Sequence, residues 1–373
     1  MTSNETIMVI SCHTHSLFWF RIDMMREFLN RGYRVVAVGQ EDEKKWSDRF
    51  LEYGITYRKI DAERNGTNPI KDLRTYKSIK KIISEEKPDK IFCYQAKTVI
   101  YGCMAAKKKK ITEVYPLIAG LGSIFLGQGL KNKILCAVLK LEYKYSLKQA
   151  KRIFFQNPDD VKRFVGDKII SADKICMING SGVDTSKFLT APIPTQPAFL
   201  LIARLIRDKG VMEYLNAARI VKNNYPNARF LLVGPFDTNP SAIGEDELSE
   251  YVQDGTVEYF GEQADVLPYI QMSSVYVLPS YHEGTPKTVL EAMSCARPVI
   301  TTDAPGCRET VIDGENGFLV PVKDANALAK RMEEFILNHS LCEMMGKAGR
   351  RIAEEKFDIK KVNHSILSAM ELL

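Results

Sequence analysis

The densest run of reactive side chains spans Pro279 to Met293: Pro279-Ser280-Tyr281-His282-Glu283-Gly284-Thr285-Pro286-Lys287-Thr288-Val289-Leu290-Glu291-Ala292-Met293. An apolar, strand-like run ends at Pro279, a Gly-Thr-Pro turn follows, and Pro286 is placed to open a helix. The exposed N–H groups of a helix start favour phosphate or other negatively polarised oxygens. Glu283 precedes the helix and Glu291 lies one to two turns inside it, so two carboxylates meet one bound molecule at different depths. Vicinal hydroxyls are natural partners for such a pair. Taken singly, Glu283 reads as a turn residue and Glu291 as an ordinary helical glutamate.

A second cluster is Ala203-Arg204-Leu205-Ile206-Arg207-Asp208-Lys209-Gly210, directly after another strand-like run. Arg204 offers a forked guanidinium and Lys209 a point charge, the pair of cations that a diphosphate requires. Detached from that strand end, the same loop would be solvated surface. A third group is the early loop Ser11-Cys12-His13-Thr14-His15-Ser16, where His13 or His15 suits contact with a hydroxyl or phosphate. Cys12, His13 and His15 occupy one turn and lack a distant fourth ligand, so no metal site is expected.

These residues need two sheets to position them. Strand-like runs alternate with amphipathic helical runs from Ile7–Ser11 through Arg152–Gln156, and the rhythm restarts at Ala198 with runs at 229–234, 275–279 and 298–302. That alternation predicts an α/β protein of two doubly wound Rossmann-like domains, with ligand bound beyond the strand C-termini in an interdomain cleft. Ala191-Pro192-Ile193-Pro194-Thr195-Gln196-Pro197 carries three prolines and reads as a semi-rigid linker. The predicted division is 1–190, linker 191–197, 198–357, and a terminal helix 358–373 returning to the first domain.

Composition narrows the classes further. The chain has 373 residues, 45% hydrophobic and 26% charged, which excludes disordered and collagen-like proteins. Its 8 cysteines form no C-x-x-C pair and read as reduced, mostly buried thiols. The longest uncharged stretch, 114–130, is interrupted by Pro116 and four glycines and makes a poor bilayer span. The first residues lack the layout of a secretory signal, so a cytoplasmic protein is expected. The net charge of +6 is uneven, at +13 before Pro197 and −7 after it. Lys107 to Lys110 and the lysines near Ile124, Phe125, Leu126, Leu130, Ile134 and Leu135 suit docking on an anionic membrane face. No basic motif interleaved with aromatic residues is present, so nucleic acid is not an expected partner.

With these residues in view, the chain resembles the retaining, nucleotide-sugar-dependent glycosyltransferases of family GT4, which have the GT-B fold. The resemblance rests on the E-x7-E pair Glu283/Glu291, on Arg204 and Lys209, on Arg297-Pro298-Val299-Ile300 and on Asn316-Gly317-Phe318-Leu319-Val320-Pro321. It extends from the first strand to the terminal helix. It implies that Arg204 and Lys209 hold the donor diphosphate and that Glu291 holds the ribose. Glu283, with the amides of Gly284, Thr285 and Lys287, would hold the sugar, and Glu262 and Gln263 would read the nucleobase.

The opening loop, and Gly120-Leu121-Gly122-Ser123 in particular, resembles bacterial enzymes that extend undecaprenyl-diphosphate-linked sugars, such as those that add N-acetylgalactosamine to lipid-linked bacillosamine. Asp237-Thr238-Asn239-Pro240-Ser241 shares that likeness. His13, His15, Gly120, Gly122 and Ser123 are therefore the expected acceptor contacts. Ala119 stands where some of those relatives carry glutamate, so no acid–base role is carried over to it. The resemblance implies a UDP-sugar donor, a polyprenyl-diphosphate-linked acceptor, retention through front-face attack, and no metal or other cofactor. The competing classes are a UDP-sugar epimerase of the same architecture, a transferase with a soluble acceptor, and a surface-binding module.

Overall fold

The computed structural model describes residues 5–63, 68–120 and 129–373. Two compact units emerge, Met1–Ser181 with Asn363–Leu373, and Gly182–Val362.

The first unit holds a seven-stranded sheet of β1 (Thr6–Ile10), β2 (Arg34–Gly39), β3 (Thr56–Lys59), β4 (Lys90–Tyr94), β5 (Glu113–Ile118), β6 (Ile153–Phe155) and β7 (Ile175–Met177). Its order is β3-β2-β1-β4-β5-β6-β7, and every pairing is parallel. β1 lies at the centre with all five residues buried, which is why Ile7–Ile10 is an unbroken apolar run rather than an alternating one. The second unit repeats the plan in six parallel strands, ordered β10-β9-β8-β11-β12-β13. They are β8 (Ala198–Ile202), β9 (Arg229–Val233), β10 (Glu258–Tyr259), β11 (Val275–Leu278), β12 (Val299–Thr302) and β13 (Gly317–Val320). In both sheets the strand order reverses beside the first strand, at β1/β4 and at β8/β11, and each reversal opens a crevice at the strand C-termini.

The linker differs from its expected form. Arg297, with no exposed surface, donates from all three nitrogens to five carbonyls, those of Ile270, Ala191, Cys295, Pro192 and Gln271, at 2.7 to 3.1 Å. Two of those carbonyls belong to the proline-rich stretch, so its first residues are fastened to the second unit. Residues 182–190 belong to the second unit too. Val183 bridges to Asp358, Phe188 joins the second core, and Arg350 donates to the carbonyls of Phe188 and Thr185. The proline spacing carries no trace of a buried arginine 105 residues downstream of Pro192 that secures it. The last helix is Ile359–Ala369; its end packs on the first unit, where Tyr115 donates to the Met370 carbonyl and Lys151 pairs with Glu371 at 2.8 Å.

Candidate active site

In the second unit, the loops after β8 and β11 meet at the strand reversal. The Asp208 backbone carbonyl accepts from the Tyr281 amide at 2.9 Å and from the Ser280 hydroxyl at 3.1 Å, joining the basic loop to the glutamate loop. Gly210 permits that approach. It adopts φ 70°, and a side chain there would strike the Pro279 carbonyl. The Asp208 carboxylate accepts from Ser241 at 3.1 Å, and the Arg207 amide donates to the Ser241 carbonyl at 2.8 Å.

The expected cations are brought to this edge, each beside a carboxylate. Arg204 Nη1 donates to Asp237 Oδ2 at 2.6 Å, and the other Asp237 oxygen accepts from the Asn239 amide at 2.8 Å. Lys209 donates to Glu283, both side chains being largely shielded from solvent. Neither cation is a bare surface charge, and an anionic ligand arriving here would have to compete with, or share, a carboxylate partner. Glu283 is placed by its own amide, which donates to the Pro305 carbonyl at 2.8 Å. Gly306, at φ 81°, passes so close to the Glu283 and Gly284 carbonyls that no side chain fits there.

Pro286 caps the next helix, which starts at Lys287 and runs to Ser294, so the proline stands one residue before the helical position expected for it. Gly284 and Thr285 precede that N-terminus, and Lys287 is the helix's first residue. Glu291 lies inside the helix with only 8% of its surface exposed. Burial pushes its carboxyl up to about 7, against smaller opposing effects of Lys287 and Lys187. Beneath the turn, Thr288 shares a 2.6 Å hydrogen bond with Tyr276, which also donates to the Ile202 carbonyl at the end of β8. Glu262 and Gln263 follow β10, two strands from β8. Gln263 Nε2 donates to the Phe260 carbonyl at 2.6 Å, and the Gly234 amide donates to the Gly261 carbonyl at 2.8 Å, fixing this turn against the end of β9.

In the first unit, His13 caps helix Thr14–Asn30 through its backbone, its amide held by Ser11 Oγ at 3.1 Å. The helix starts at Thr14, directly after the histidine loop that supplies its cap residue. His15 packs on His13 and on the edge of Trp46, with Nε2 3.4 Å from Glu41. Glu41 is held below the ordinary carboxylate range; burial opposes this, and hydrogen bonds from Trp46 and Lys45 outweigh it. Gly120 follows β5 in a left-handed conformation at φ 113°. Gly122 and Ser123 lie outside the described residues. Sequence reasoning missed Gln95, whose Oε1 accepts from Ser11 at 2.8 Å and Cys12 at 2.9 Å across the β1/β4 reversal. It also missed Asp237 as the partner of Arg204 and Asp208 as the hub. The Asp-x-Asn-x-Ser spacing from 237 to 241 was the available sign of an ordered turn.

Two nucleotide-fold sheets, with paired cations and a buried glutamate at the second sheet's strand reversal, define a glycosyltransferase of the GT-B fold. The chain belongs to the GT4-like glycosyltransferases: residues 9–157 match the Glycosyl transferase 4-like family and residues 184–352 the Glycosyl transferases group 1 family.

Among curated relatives, it is 28% identical over 87% of its length, and 88% of theirs, to the N,N'-diacetylbacillosaminyl-diphospho-undecaprenol alpha-1,3-N-acetylgalactosaminyltransferase of Campylobacter jejuni. It is 27% identical to the UDP-Gal:alpha-D-GlcNAc-diphosphoundecaprenol alpha-1,3-galactosyltransferase of Escherichia coli, covering 78% of this chain and 77% of that protein. Its fold matches sucrose-phosphate synthase from Thermosynechococcus elongatus at a TM-score of 0.83 and 20% identity, covering 99% and 98% of the two chains. It also matches Anabaena HepE, solved with UDP and glucose, at 0.78 and 17%, covering 99% and 100%.

Proposed function

We propose that this glycosyltransferase moves a hexose or N-acetylhexosamine from a UDP-sugar to a polyprenyl-diphosphate-linked saccharide, with retention, in the assembly of a bacterial surface or glycoprotein glycan. The observation that carries the reading is the junction of the β8 and β11 loops, where Arg204, Lys209, Glu283 and the helix bearing Glu291 share one sheet edge. Two curated relatives, named above as acting on undecaprenol-diphosphate-linked sugars, support the acceptor class.

Within this reading, Arg204 and Lys209 stabilise the charge that grows on the departing diphosphate. The acceptor hydroxyl attacks from the face the diphosphate leaves, and a leaving phosphate oxygen takes its proton. Glu283 orients the sugar with the amides of the Gly284–Lys287 turn, and Glu291 orients the ribose. His13, His15 and Gly120, at the strand ends of the first unit, are the proposed acceptor contacts. The exposed Lys107 to Lys110 run is the proposed attraction to an anionic membrane.

Protein cations and helix-start amides meet the diphosphate, so donor binding is proposed not to need Mg²⁺. Thermal unfolding with UDP in EDTA tests this donor site. A ligand held only by the folded state at a hundred times its Kd adds roughly 2.7 kcal/mol, and the melting temperature rises. A shift absent with UDP, or present only after Mg²⁺ is restored, contradicts the donor site as assigned.

A further inference from the structure

Helix Leu130–Ser146 carries apolar residues on two opposite faces. Tyr143 and Ser146 are buried and Leu139 packs on the first unit's core. On the other side Leu130, Ile134, Val138, Leu141 and Tyr145 are 75, 57, 49, 68 and 52% exposed. At about 100° per residue these five fall within an arc of about 80°, a continuous apolar stripe that is about half or more exposed along its length.

The surroundings of the stripe are basic. Lys133 and Lys144 are exposed along its flank, and Lys107, the first of the four-lysine run, sits 4.4 Å over the ring of Tyr145. Beyond that end, Lys144, Lys148, Lys168 and Lys174 line an open pocket of about 400 Å³. Of the neighbouring acids, Asp167 is held by Lys140 and Arg163, both at 2.8 Å, and Glu142 accepts from the Tyr101 hydroxyl at 3.3 Å. An apolar stripe several turns long, bordered by cations, matches a surface that is hydrocarbon inside and anionic outside. A protein partner would need its own apolar ridge in an acidic frame.

We infer that this helix lies in the headgroup layer of an anionic bilayer, inserting the Leu130–Tyr145 stripe while the lysines engage lipid phosphates. The inference rests on the proposed membrane-linked acceptor and names the element that embeds. It differs from simple charge attraction, because an inserted stripe holds part of its affinity at high salt.

The test is co-sedimentation of the whole chain with vesicles of phosphatidylcholine alone or with phosphatidylglycerol, for the wild type and for Ile134→Ser/Leu141→Ser. Both positions face solvent, and matched melting curves verify the fold of the variant. The wild type is expected to prefer the anionic vesicles, with partial retention at high salt. The double variant is expected to bind at least about tenfold more weakly, given the apolar area lost from the stripe. Transfer to a short-chain, water-soluble diphosphate acceptor should be unchanged, while KM for a long-chain acceptor in vesicles rises.

Variant binding equal to wild type overturns the stripe and leaves the membrane reading standing. Absence of wild-type binding to either vesicle overturns both. Wild-type dimers that the substitution converts to monomers assign the stripe to a second copy of the chain instead. Loss of short-chain transfer in the variant also overturns the inference, while failure of the wild type on every acceptor strikes the proposed function.

Discussion

Arg204 and Lys209 sit beside carboxylates in this structure, and that fixes what their removal does. Arg204→Ala deletes the cation that the proposed function assigns to developing diphosphate charge and leaves Asp237 at the same edge without its 2.6 Å partner. A loss of about 3 kcal/mol of transition-state stabilisation, roughly a hundredfold in kcat/KM, is expected with the melting temperature little changed. Steady-state kinetics on the folded variant checks it, and near-wild-type turnover would remove Arg204 from the site. Glu291 gives a pH-dependent result. Its carboxyl is raised from 4.5 to about 7 by burial, so between those values the unfolded chain loses its proton first and stability falls as pH rises. Glu291→Gln keeps the shape without the charge. It should add up to about 3 kcal/mol at pH 8 and almost nothing at pH 4, while weakening UDP binding. Denaturant unfolding at the two pH values measures this, and an equal effect at both would mean the carboxyl is not desolvated.

The elements that deliver these residues depend on connections distant in sequence. Arg297→Met would strip five carbonyls of a buried donor, two of them in the proline-rich stretch. A cost of about 3 to 5 kcal/mol is expected, the range for disrupting a buried polar network. Calorimetry of the folded variant would show it, whereas a loss below about 1 kcal/mol would make the clamp incidental. The buried parallel strands were legible because they read as apolar runs: the run at 298–302 became β12 from Val299, and the run at 275–279 became β11 with Pro279 just outside it. The E-x7-E spacing gave Glu283 and Glu291 their places on loop and helix. Asp237, Asp208 and Gln95 were not legible as site residues: Asp208 and Gln95 act across a strand reversal and Asp237 between the loops after β8 and β9, contacts that no local pattern encodes. Gly306 was equally hidden: its role is to leave room for the Glu283 carbonyl, a requirement visible only in three dimensions.

For the whole molecule, the uneven charge now has a structural counterpart. The +13 half contains the lysine run, the two-faced helix and the first unit's strand ends, and the −7 half contains the paired cations of the proposed donor site. A transferase with a lipid-linked acceptor would have reason to keep its positive surface apart from its donor machinery in this way, because only one half needs to meet phosphate headgroups. No helix among the described residues is long and apolar enough to cross a membrane. The central claim is tested most directly by incubating the chain with a panel of UDP-hexoses and UDP-N-acetylhexosamines and short polyprenyl-diphosphate-linked saccharides, then determining the new anomeric linkage by NMR. Sugar transfer from one UDP-sugar to a diphosphate-linked acceptor, with the donor's anomeric configuration kept, is the expected result. Epimerised UDP-sugar without transfer, transfer only to soluble acceptors, or an inverted linkage would contradict it.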